Sequence, residues 1–111
     1  MSYKVSTIPP FEREIKRLAR KYRSLPTEYG QLIASLEANP RQGIALGRGL
    51  YKIRLKVASK GGSRRGGARV ITCVVAVADT VYLLSIYDKA EQDSISDERL
   101  GQLLALLPEL P

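Results

Sequence analysis

Two apolar runs of strand length, Ala68 to Ala78 (ARVITCVVAVA) and Val81 to Tyr87 (VYLLSIY), are separated only by Asp79-Thr80, and no other feature limits the fold of this chain so tightly. Their β-branched and aromatic content, without a helical period, identifies strands rather than buried helices. The two-residue break reads as a tight hairpin. Both runs are apolar at most positions rather than at alternate ones, so they must be covered on both faces, as central strands are. The rest of the chain has to supply the covering layers.

Helical spacing supplies two of them upstream. Phe11, Ile15, Leu18, Ala19 and Tyr22 form one stripe, with Arg13, Lys16, Arg17, Arg20, Lys21 and Arg23 elsewhere on the wheel, which predicts a helix from Pro9 to Tyr22. Leu25, Tyr29, Leu32, Ile33 and Leu36 form a second stripe, with Ser24 as candidate N-cap, Pro26 in the first turn and Asn39-Pro40 as the stop. A third helix is expected from Ser96 to Leu107, with Asp97 and Glu98 in its first turn and Leu100, Leu103, Leu104 and Leu107 on one face. Pro108 ends it. Tyr3 to Thr7 has weak strand character. From Leu50 to Val57 the pattern has period two, with Tyr51, Ile53, Leu55 and Val57 on one face and Lys52, Arg54 and Lys56 on the other. Ala58 to Gly67 (ASKGGSRRGG) holds four glycines and no long apolar side chain, so it reads as a mobile strand-to-strand loop. The expected order is β-α-α-β-β-β-α: an α+β domain with an antiparallel-dominated sheet packed against an N-terminal helical hairpin, residues 1–111 forming one domain. The single cysteine, Cys73, falls inside an apolar run and reads as a core residue of a reducing compartment. No apolar stretch approaches the roughly 18 residues that span a bilayer, so a cytoplasmic protein without membrane contact is expected.

Charge narrows the partners. The chain carries 18 Lys and Arg against 11 Asp and Glu, a net charge of +7, which favours a polyanion or an acidic protein. The excess is concentrated: from Arg41 to Arg69 there are nine basic residues and no acidic one. Strand alternation sets Lys52, Arg54 and Lys56 about 7 Å apart, close to the phosphate spacing of a nucleic-acid strand. The competing reading is a solvated strand face whose lysines discourage edge pairing. Lys60 and the glycine-flanked Arg64-Arg65 pair extend the basic set, and the pair is suited to bidentate phosphate contacts or simply to keeping a loop tip soluble.

Several chemistries are excluded. There is no histidine, which removes His-dependent triads, paired-His ribonuclease chemistry and His-ligated metals, and one cysteine cannot build a Cys-rich zinc site. The glycine pairs lack the Walker spacing and lie between strands, so no P-loop is present. Asp88, Glu91 and Asp93 lie in a loop leading to a helix, where carboxylates usually cap or solvate rather than bind magnesium. No cofactor or metal is expected.

Four segments taken in order, Asn39-Pro40, Gly49 to Leu55, Gly66 to Thr72 and Tyr82 to Lys89, with a helical hairpin upstream, make the chain resemble the RelE/ParE toxin superfamily, most closely the HigB-like toxins of its RelE branch. The likeness covers nearly the whole length. It implies the toxin of a type II toxin–antitoxin system, an endoribonuclease that cuts messenger RNA on the ribosome by driving the 2′-hydroxyl onto the adjacent phosphate without metal. Its implied partners are a cognate antitoxin, mRNA and the ribosome, with DNA reached only through the antitoxin complex. By motif, Lys52 and Arg54 match the family's basic pair on the second strand, Arg69 its central-strand arginine, and Lys89 the basic residue closing the last strand. Where some members have a tyrosine opening the C-terminal helix this chain has Ile95, so that role is missing or moves to Tyr87. The RNA-binding set is completed by Lys56, Lys60, Arg64 and Arg65.

Such a cleavage needs an acceptor for the 2′-OH proton, a donor for the 5′-oxygen and positive charge on the phosphorane-like transition state. Arginine supplies the charge. A lysine base needs a pKa lowered by about three units from about 10.4, the direction in which neighbouring cations push it. Tyr87 suits either stacking on a base or proton transfer, and equally plain packing at a sheet end. Two other classes remain open: a ParE-like inhibitor of DNA gyrase, which shares the fold without the basic catalytic set, and a non-catalytic RNA-binding module.

Overall fold

The structure is a computed structural model that describes residues 2–60 and 66–108. Its elements are β1 (Lys4–Thr7), α1 (Pro9–Lys21), α2 (Leu25–Ala38), β2 (Ile44–Gly47), β3 (Leu50–Leu55), β4 (Ala68–Val75), β5 (Thr80–Asp88) and α3 (Asp97–Leu104), with short 3₁₀ turns at Ala58–Lys60 and Ala76–Ala78. The five strands form one sheet in the order β1-β5-β4-β3-β2. Only β1 and β5 run parallel; the other three pairings are antiparallel. The expected α+β class with an antiparallel-dominated sheet and a helical hairpin is the observed one. No helix of the described residues is long and apolar enough to cross a membrane.

Both apolar runs are central, as their composition requires. Val70, Ile71, Leu83 and Leu84 are fully buried, and so is Cys73. On one face, the row Ile53-Val70-Ile86 meets the hairpin, whose Phe11, Leu18, Leu25, Leu32 and Leu36 are buried in the same cluster. On the opposite face Ile71 and Leu83 are buried as well; the expected helix to Leu107 ends at Leu104, and Leu100 and Leu103 of α3, with Leu107 beyond its end, belong to the same buried apolar cluster. Ser96 caps α3, its hydroxyl accepting the Arg99 amide at 3.1 Å.

Three local details depart from the sequence reading. A further strand, β2, pairs with β3 through Ile44↔Lys52 and Ala45↔Tyr51. Its four residues are all exposed and carry no alternating pattern, so periodicity does not reveal it. The β4–β5 connection is longer than a two-residue hairpin: β4 stops at Val75, and the 3₁₀ turn delivers the chain to Asp79 at φ 47. Val77, inside the expected strand, is 92% exposed there. Ser24 does not cap α2 with its side chain; its hydroxyl meets Glu28 and Ser59 instead, pinning the segment after β3 to the start of the helix.

Candidate functional site

Antiparallel register assembles the site from distant parts of the chain. Arg54 on β3 faces Arg69 on β4, and Arg69 faces Tyr87 on β5, so the three occupy one row across neighbouring strands on one face of the sheet. Adjacent strands are about 4.8 Å apart, so the row spans roughly 10 Å. Lys52 lies two residues along β3 on the same face, opposite Ile71. Lys89 follows β5 directly, its backbone N–H donating to the Gly67 carbonyl at 3.1 Å, and alternation turns its side chain to the face of Tyr87.

Burial grades the row. Arg54 and Lys56 are exposed and Lys52 and Lys89 half-buried. Arg69 is 5% exposed and donates to the Ala68 carbonyl at 3.3 Å. Tyr87 is 3% exposed, and its hydroxyl makes no hydrogen bond among the described residues. Burial raises the Tyr87 pKa, the Arg69 cation opposes that and Asp93 adds to it; the net effect is upward, so the phenol keeps its proton at neutral pH. Tyr87 lines a cleft of about 270 Å³ together with Arg13, Glu14, Ser85, Gln92, Ile95 and Arg99. Tyr87 and Ile95 therefore border the same space.

Asp93 brings a carboxylate to Lys89. Lys89 donates to the Asp93 side chain and, at 3.2 Å, to its carbonyl. The bond from Lys89, with the charges of Lys89 and Lys52, lowers the Asp93 pKa. The sequence pattern presents Asp93 only as a cap or metal ligand; its position four residues after Lys89 is the signal that points to this pairing. Among the described residues no group of three or more potential ligands is placed to hold a metal ion. Asp88, Glu91 and Asp93 are each engaged by cationic side chains: Asp88 pairs with Lys60 and, at 3.5 Å, with Lys21, Glu91 with Arg17 and the same Lys21, and Asp93 with Lys89.

Lys60 is not brought to the row. It turns to the helical side of the sheet, where it bonds the buried Asp88 carboxylate and lies 5.3 Å from the Tyr22 ring centre. Asp88 also accepts from the Tyr22 hydroxyl at 2.5 Å and the Ala90 amide at 2.9 Å. Burial pushes the Asp88 pKa up, but the bonds from Lys60, Tyr22 and Ala90 outweigh it and hold it at about 2. The physical reason is that an ionised carboxylate 1% exposed needs a cation, and Lys60, at the end of the 3₁₀ turn, is within reach. This network clamps the residue between Tyr87 and Lys89. Arg64 and Arg65, assigned to RNA binding from the sequence, lie outside the described residues.

No protein-family model matches the sequence. Solved structures do match. A mutant of the Escherichia coli toxin RelE in the free state superposes with a TM-score of 0.64 at 17% identity, over 95% of this chain and 97% of that one. A chain of the E. coli RelBE toxin–antitoxin complex gives 0.60 at 18% identity, over 78% and 96%. One from the Mycobacterium tuberculosis toxin–antitoxin complex RelBE2 gives 0.60 at 22% identity, over 81% and 94%. At these identities the shared property is the path of the backbone, and by that measure this chain has the RelE fold.

Proposed function

We propose that the chain is the toxin of a type II toxin–antitoxin pair, of the HigB-like RelE kind, and that it cleaves messenger RNA on the ribosome without metal. The observation that carries this reading is the row Arg54-Arg69-Tyr87 flanked by Lys52 and Lys89. Arginine does not give up its proton in proteins, whereas lysine and tyrosine have one to move. Charge stabilisation of the phosphorane-like transition state therefore falls to Arg54 and Arg69, and proton transfer to Lys52, Lys89 and the Tyr87 phenol. In the reaction the 2′-oxygen bonds to phosphorus as its proton leaves, the P–O5′ bond breaks, and the 5′-oxygen takes a proton. The products are a 2′,3′-cyclic phosphate and a 5′-hydroxyl.

Lys56 adds positive charge for the RNA backbone, and the Arg64-Arg65 pair is assigned to RNA contact on its sequence alone. The gyrase-inhibiting alternative has no use for cations converging on a buried tyrosine. An acidic segment of the antitoxin covering this face fits the charge and gives fast, salt-sensitive association. Contact with DNA follows only through that complex. Inducible expression followed by mapping of mRNA 5′ ends is the test, with Arg69→Ala as control. In-frame cuts within translated regions, absent for a natively folded Arg69→Ala protein, are the expected result. Growth arrest without such cuts would overturn the nuclease reading.

A further inference from the structure

Two of the groups given a part in the chemistry above stand at an end of β5 that is paired on one side. β1 pairs with β5 only from Thr80 to Leu83, so among the described residues the stretch from Leu84 to Asp88 has a strand neighbour on the β4 side alone. Tyr87 lies in that stretch, and Lys89 directly follows it. A strand end with a free edge opens more readily than one paired on both sides, and a displacement of about 1 Å at a reacting group costs on the order of a hundredfold in rate.

A post on the helical side of the sheet supplies the support. It begins at α2, where the Ala58 amide donates to the Glu28 carboxylate at 2.7 Å and the Ser59 amide to the Ser24 hydroxyl at 3.0 Å. The Lys60 amide closes the turn on the Val57 carbonyl at 3.0 Å. The Lys60 side chain then meets the buried Asp88 carboxylate. Asp88 in turn builds the segment that follows β5: its carboxylate accepts the Ala90 amide at 2.9 Å, and its carbonyl accepts the Glu91 and Gln92 amides at 3.0 Å each. From α1 the Tyr22 hydroxyl donates to the other carboxylate oxygen at 2.5 Å, and the Tyr22 ring centre lies 5.3 Å from the Lys60 ammonium. Lys21 also approaches Asp88, but at 3.5 Å, half-exposed and shared with Glu91 at 2.9 Å, so it holds the carboxylate less firmly.

Alternation turns Asp88 to this side and Tyr87 and Lys89 to the other. We infer that Lys60 is a positioning residue for the cleavage: through Asp88 it fixes Tyr87 and Lys89 at the basic row from behind the sheet, and it makes no contact with RNA. An ammonium engaged by a buried carboxylate on the far face is not available to a phosphate on the near one. The stretch of β5 without a second strand neighbour is the stretch this post holds.

This inference rests on the RNA-cleaving reading, and the test separates the two. Initial rates of cutting are measured on ribosomes programmed with mRNA. Binding is titrated on the same ribosomes carrying mRNA with a 2′-deoxy sugar at the cut, which lacks the attacking hydroxyl. Lys60→Met keeps the length of the side chain and removes its charge. It should lower kcat by roughly ten- to a hundredfold while KM stays within about twofold and the salt slope and stoichiometry of binding are unchanged; full stoichiometry shows that the lost rate is not lost folded protein. Tyr22→Phe removes one hydrogen bond from Asp88 and leaves Lys60 in place. It should lower kcat by about three- to tenfold at unchanged KM, and it keeps the test decisive if Lys60→Met does not fold. A kcat within about twofold of the wild type in every variant that folds, a fall matched by lost binding stoichiometry, or a salt slope flattened by about 0.7 to 0.9 in Lys60→Met overturns the inference and leaves the nuclease reading standing. No cutting by the wild type overturns both.

Discussion

Replacing Asp88 by Asn tests the clamp that holds Tyr87 and Lys89. The side chain keeps its shape and one acceptor for the Tyr22 hydroxyl, and loses its charge. In the native protein its pKa lies at about 2 against an ordinary 3.8, a difference worth roughly 2 kcal/mol at neutral pH. The substitution also strands the Lys60 ammonium, only 11% exposed, without a counter-charge, so a loss of about 3 kcal/mol is expected. For a domain of this size that lowers Tm by about 10 °C or more. A carboxyl with a depressed native pKa contributes fully above its ordinary pKa and loses that contribution as the pH falls through the native value. The stability gap between wild type and Asp88→Asn, measured by urea unfolding, should therefore be full at pH 5 to 7, narrow from about pH 4 downward and largely close near pH 2. A gap below about 0.5 kcal/mol at pH 7, or one unchanged at pH 2.5, refutes the reasoning.

Tyr87→Phe removes a buried hydroxyl that has no partner among the described residues. Stability should be unchanged or up to about 1 kcal/mol higher by thermal unfolding, while mapped mRNA cutting falls at least tenfold. Asp93→Asn releases Lys89, and the slope of log K against log salt for ribosome or RNA binding should steepen by about 0.7 to 0.9; an unchanged slope makes the Lys89–Asp93 pairing irrelevant to binding. Changing Arg64 and Arg65 together to Ala should flatten the same slope by about 0.7 to 0.9 for each phosphate left without its arginine, with little change in Tm.

Short-range pattern was enough for most elements. Phe11, Leu18, Leu32 and Leu36 declare their helices because 3.6-residue spacing is a local property, and the apolar runs around Cys73 and Leu84 declare central strands because solvent is excluded from both faces. Alternation alone also set Lys52 and Arg54 on one side of β3, and the missing histidines ruled out whole classes of chemistry. The resemblance to RelE toxins named Arg69, Tyr87 and Lys89 one at a time. Their meeting in one row is a matter of register, which joins residues 15 to 33 positions apart and is decided by which faces are buried when all strands pair at once. Lys60 shows the same limit. In the sequence it is one more cation in an unbroken basic stretch, and only the folded chain presents it with a buried carboxylate 28 positions away, whose desolvation outweighs anything a lysine gains in a surface patch. The strand β2 exists only because β3 offers it an edge. Those are contacts between elements, and a linear pattern carries no information about them until tertiary packing brings the elements together.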